Sequence, residues 1–124
     1  MPYQMHSECQ GKGLYWSFQG KISADELFRS QSKAHSLSNF DDLRYFIVDM
    51  LEVTEIEYGV EDIEKVAAMD FAASKTNAHI KVALTATDEN ITALSYLYES
   101  ETAESPWEIR VFRDLEKARQ WVAQ

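Results

Sequence analysis

The chain has 124 residues, 45% of them hydrophobic and 12% aromatic, and a formal net charge of −9. This length suits one domain, residues 1–124, with a single core, and the apolar content argues against disorder. The negative charge, with no Lys/Arg cluster to offset it, argues against binding to nucleic acid or to anionic membranes. The sequence shows one cysteine, no signal peptide and no apolar run long enough to span a membrane, which together predict a cytoplasmic protein without an intrachain disulfide.

The first predicted elements are a β-hairpin and a helix. Strands are predicted over residues 5–10 and 14–19, on either side of a glycine-containing turn at residues 11–13. Ser23 and Glu26 have the spacing of a capping box, which predicts a helix that ends near His35.

The most apolar predicted strand covers residues 44–50 and is apolar on both faces, which is typical of a central strand. Helices are then predicted from about residue 60 to 75, from Asp88 and from Asp114, separated by strands at residues 79–86 and 107–111. The fold class is therefore α/β, with an N-terminal β-hairpin followed by β-α units and a mainly parallel five-stranded sheet. Three of the five strands alternate apolar with polar residues, which predicts helices mostly on one face.

Two segments carry a family resemblance. Residues 44–67, read as a buried strand, an acidic loop and an amphipathic helix, resemble the centre of STAS domains, the SpoIIAA-like fold of bacterial anti-sigma-factor antagonists. Residues 111–122 resemble the closing strand and helix of the STAS/SEC14-type group of small bacterial proteins. The resemblance implies a non-catalytic module that acts by binding a protein partner.

In antagonist STAS domains, a serine that opens the helix after the acidic loop is phosphorylated. Here that place reads Glu57-Tyr58-Gly59, and no serine lies between Asn39 and Ser74. We therefore expect no phosphorylation switch of this kind. The family's partner-binding position maps onto a set of residues in the loop and at the helix start: Leu51, Glu52, Thr54, Glu55, Glu57, Tyr58 and Asp62.

The sheet face away from the helices is the predicted surface for self-association. Tyr45 and Ile47 point to one face of the central strand, and Tyr15 from the hairpin extends the same patch. Exposed apolar area of this kind favours a homodimer.

Two alternatives to a partner-binding module remain at this point. The first is a carrier of a lipid or small apolar ligand, held in a pocket between sheet and helices. The second is an enzyme that uses a divalent metal at a carboxylate rim formed by Asp49, Glu52 and Asp88. No recognised catalytic motif occurs, so the sequence predicts no catalytic residue, metal ligand or cofactor.

Overall fold

The computed structural model describes residues 3–124 and contains one five-stranded sheet with the strand order β1-β2-β3-β4-β5. The strands are β1 (Tyr3–Glu8), β2 (Gly13–Ser23), β3 (Tyr45–Glu57), β4 (Lys81–Thr85) and β5 (Glu108–Phe112). The helices in this part of the chain are α1 (Ala24–His35), α2 (Val60–Ser74), α3 (Glu89–Glu101) and α4 (Leu115–Val122). β1 is antiparallel to β2, and every later pair is parallel. The predicted α/β class and hairpin are confirmed.

Polar side chains cap the three helix starts that the sequence predicted from capping residues, those of α1, α3 and α4. Ser23 Oγ accepts a hydrogen bond from the Glu26 backbone N–H at 3.2 Å, and the Glu26 carboxylate accepts one from the Ser23 N–H at 3.1 Å. Asp88 and Asp114 accept from backbone N–H groups in the first turns of α3 and α4. These bonds satisfy N–H groups that have no partner inside the helix, and they confirm all three predicted caps.

The helices lie on both faces of the sheet, three on one and one on the other. Side chains of α1, α2 and α3 pack with Trp16, Phe46 and Val48 in the larger core. α4 packs on the opposite face, where Ala118 and Trp121 join a second cluster.

The predicted exposed patch on that opposite face is wrong, because α4 covers it. Tyr45 and Ile47 do share this face, but they are only 8% and 0% exposed, and Tyr15 is half-buried beside them. A strand that is apolar on both faces needs a layer on each, and the final helix supplies the second. Self-association stays a prediction, but it no longer follows from these three residues.

β2 and β3 extend well beyond their neighbours. Tyr3, the first described residue of β1, pairs with Phe18, and Thr85, the last residue of β4, pairs with Asp49. β2 and β3 stay paired beyond these positions, as far as Ser23 and Glu57. We call residues 19–23 of β2 and 50–57 of β3 the β2–β3 extension. Most of the predicted acidic loop is therefore strand.

The loop prediction failed because glutamates have low strand propensity. Pairing and packing outweigh that preference here. Val53 is buried, and Lys21 Nζ lies 3.4 Å from a Glu55 carboxylate oxygen and 3.3 Å from one of Glu57. The ion pairs place a positive charge among the acids of the extension.

Candidate functional site

A cavity of about 50 Å³ lies between the sheet and the helices α1, α2 and α3; we call it the core cavity. Most of its lining is apolar and buried, and only Tyr58 and Leu94 are half-buried. The lining consists of Trp16, Leu27, Gln31, Phe46, Val48, Met50, Tyr58, Ile63, Val66, Asp70, Val82, Leu84, Ile91, Leu94, Ser95 and Tyr98. The cavity thus interrupts the main core, where close packing is the rule.

Three lining residues each carry a buried polar atom that has no hydrogen-bond partner among residues 3–124. Two of these atoms are Nε1 of Trp16, which is fully buried, and Oε1 of Gln31, which is 6% exposed. The third is Oδ1 of Asp70. The indole N–H can only donate and the amide oxygen can only accept. An unsatisfied buried polar atom costs about 1–3 kcal/mol, so an occupant that bonds to both would be favoured.

Asp70, the third of these residues, is 2% exposed, and only one of its two carboxylate oxygens has a hydrogen-bond partner. The Tyr98 hydroxyl donates to Asp70 Oδ2, while His35 Nε2 lies 2.9 Å from Oδ1 without hydrogen-bond alignment. Burial, followed by the charge of Asp70, raises the pKa of Tyr98 well above its ordinary value. Asp70 interrupts the apolar stripe of α2 in the sequence, as Gln31 does in α1, and these interruptions are the sequence signal of a polar interior.

The predicted partner-binding residues separate into two groups. Four of them, Glu52, Thr54, Glu55 and Glu57, are exposed on the β2–β3 extension, where Leu51 is half-buried. Tyr58 instead lines the core cavity, and burial raises the pKa of its hydroxyl. Asp62 accepts a hydrogen bond from the Gly59 N–H at 2.9 Å and so caps α2. The extension keeps an exposed polar surface, on which partner binding remains a prediction.

Asp49 is the centre of a separate hydrogen-bond network under α4. It is 7% exposed, and it accepts from the Tyr15 hydroxyl at 2.6 Å, the Thr85 hydroxyl at 2.9 Å and the Leu51 N–H at 3.0 Å. Burial and the bond to Asp49 raise the pKa of Tyr15 to about 12. These contacts explain why an acid lies at the end of the apolar half of β3: Asp49 has a structural role, because its buried carboxylate is hydrogen-bonded within the protein.

The predicted carboxylate rim does not form a metal site. Asp49 uses both oxygens in internal bonds, Glu52 is exposed, and Asp88 caps α3. Across residues 3–124, no three His, Cys, Asp or Glu side chains converge as metal ligands would. The alternative of a metal-dependent enzyme therefore has no geometric support in this region.

The long apolar stretch needed to cross a bilayer is not found in any helix between residues 3 and 124.

The sheet order, the N-terminal hairpin and the helices on its two faces define a SpoIIAA-like α/β fold. The chain is similar to the crystal structure of an uncharacterised protein of the DUF3478 family, which has a SpoIIAA-like fold, from Shewanella loihica PV-4. The TM-score is 0.56 at 15% sequence identity, and the match covers 97% of this chain and 91% of the other. No protein-family model and no curated protein matches the sequence. At this identity the likeness establishes the fold and says nothing about activity.

Proposed function

We propose that this protein is a non-catalytic binding module whose core cavity takes a small, mainly apolar molecule. The observation that carries the proposal is that two residues lining a largely apolar cavity, Trp16 and Gln31, have buried polar atoms without partners, Nε1 and Oε1. Small-molecule sites typically combine apolar walls with a few polar groups that fix orientation.

The size of the core cavity limits what it can hold. A volume of 50 Å³ corresponds to roughly three to five water-sized units, since one water needs about 10–15 Å³. Pockets for drug-sized ligands are several times larger, about 300–1,000 Å³. Of the two ligand types expected from the sequence, the small apolar molecule is therefore favoured over a lipid.

The lining groups support binding rather than catalysis. The Ser95 hydroxyl donates to the Ile91 carbonyl oxygen at 2.8 Å, so it is not paired with a base. Asp70 is held by Tyr98, whose raised pKa disfavours a reactive phenolate. No nucleophile and base face each other across the described lining, as covalent catalysis requires.

Filling the core cavity is expected to abolish binding of a small probe. In Val66→Phe an aromatic ring would occupy the space, whereas Val60→Phe makes the same change on α2 at a site that is 53% exposed and outside the lining. Titration with 1-butanol, followed by methyl resonances of Leu84 and Ile91, should saturate in the wild type and in Val60→Phe only.

Saturation in Val66→Phe with unchanged affinity would place the alcohol elsewhere and contradict the proposal. Urea unfolding of both variants, run alongside, checks that each one is folded during the titration.

A second function, binding of a protein partner, is favoured by the β2–β3 extension. This strand pair extends beyond the described part of the neighbouring strands, and it carries four exposed polar side chains: Glu52, Thr54, Glu55 and Glu57. Charge reversal at Glu52 and Glu55 should release a partner captured from the native cell. Retention of every captured protein by that double variant would remove support for this function.

A further inference from the structure

We propose that the ligand of the core cavity carries a neutral group that both donates and accepts a hydrogen bond, such as a hydroxyl or a carboxamide. This inference rests on the proposed function and specifies the chemistry of its ligand. The juxtaposition behind it is an unpaired donor and an unpaired acceptor in the lining of one small cavity.

The requirement for both roles follows from the unpartnered atoms of Trp16 and Gln31. Trp16 Nε1 needs an acceptor, and Gln31 Oε1 needs a donor. A hydrocarbon satisfies neither atom, and an ether or ketone satisfies only Trp16. A hydroxyl or carboxamide has both functions within a few non-hydrogen atoms, which matches a cavity of 50 Å³.

Charged ligands are disfavoured by the same lining. It contains the Asp70 carboxylate and, among the described residues, no Lys or Arg, so a buried carboxylate or phosphate would be left without a counter-charge. An ammonium group has donors only and leaves Trp16 unpaired. Asp70 Oδ2 already accepts from Tyr98, and His35 Nε2 lies 2.9 Å from Oδ1, so an ammonium would compete with His35 for the one unbonded oxygen.

Three probes of similar size separate these possibilities: 1-butanol, which donates and accepts; diethyl ether, which only accepts; and butyrate, an anion at neutral pH. The readout is the indole N–H resonance of Trp16 in a ¹⁵N–¹H spectrum, assigned with Trp16→Phe. The indole N–H of Trp107 is an internal reference, because it donates to the Asn77 carbonyl oxygen at 2.6 Å.

We expect 1-butanol to shift the Trp16 resonance saturably and leave Trp107 unchanged. Diethyl ether should bind at least about tenfold more weakly, since it leaves Gln31 Oε1 unpaired, and butyrate should not saturate. In Gln31→Met, which replaces the amide by a thioether, the alcohol should lose its advantage over the ether.

Equal binding of 1-butanol and diethyl ether in the wild type would overturn the inference about the polar group while leaving a binding cavity. Tighter binding of butyrate than of 1-butanol would overturn it as well. The absence of a saturable shift with all three probes would overturn the proposed function and, with it, this inference.

Discussion

Replacing Tyr98 by phenylalanine is expected to lower the free energy of unfolding by about 1.5–3 kcal/mol, the usual contribution of a hydrogen bond to a charged group. The hydroxyl is the donor to Asp70 Oδ2, and both residues are almost fully buried. Without it, the carboxyl group of Asp70 keeps only the misaligned contact with His35. Urea unfolding at neutral pH measures the change.

Tyr96→Phe is the matched control for Tyr98→Phe. Tyr96 lies on the same helix, α3, but is 55% exposed, so its substitution should change stability by less than about 0.5 kcal/mol. Equal stabilities of the two variants would mean that the Asp70–Tyr98 bond does not hold the interior as described.

The second large effect expected is a steep loss of stability above about pH 10. The folded state raises the pKa of Tyr15, Tyr45, Tyr58 and Tyr98 above the ordinary value of 10.0, with burial as the main cause in each. Above that pH the unfolded chain therefore binds fewer protons than the folded one, and stability falls as the pH rises. The stabilisation from these tyrosines is fully present below pH 10. Above that pH, each tyrosine that is ionised in the unfolded chain but still protonated in the folded one lowers the free energy of unfolding by up to about 1.4 kcal/mol per pH unit.

Urea midpoints measured at several values between about pH 8 and pH 11 test this dependence, because tyrosines titrate near pH 10. Tyr98→Phe should show a shallower decline than the wild type, since one of the four linked groups is absent. A midpoint that stays constant across this range would show that the tyrosine protons are not linked to folding.

Much of the fold could be predicted because local signals agree with the tertiary structure. Ser23, Asp88 and Asp114 each lie just before a helix and bond to its first turn, so their sequence positions marked the boundaries correctly. The alternation in the strand before α3 and in the last strand indicated helices mostly on one face, and three of the four described helices lie there.

The position of α4 depends on information that no single segment carries. β3 is apolar on both faces, which signals a layer on each, but it does not say whether a helix or a second copy supplies it. The same limit applies to the β2–β3 extension. Its glutamates favour a loop when only the local sequence is considered. The ion pairs of Glu55 and Glu57 with Lys21, more than thirty residues earlier in the chain, form only in the folded structure.

The core cavity could not be read from the sequence, because it is defined by what packing leaves open. Its lining comes from three strands, three helices and Tyr58 in the connection between β3 and α2, and most of these residues form an ordinary apolar pattern. Only the polar residues on buried faces gave a hint: Gln31 and Asp70 interrupt the stripes of α1 and α2. Such interruptions mark either an internal hydrogen bond, as at Asp70 Oδ2, or a polar atom without a partner, as at Gln31 Oε1.

A crystal structure of the protein soaked in 1-butanol tests the central claim, a binding cavity in the core, most directly. We predict the alcohol inside the core cavity, with its oxygen within hydrogen-bond distance of both Trp16 Nε1 and Gln31 Oε1. The contradicting result is a core cavity without alcohol, in which Trp16 Nε1 and Gln31 Oε1 bond to other protein atoms.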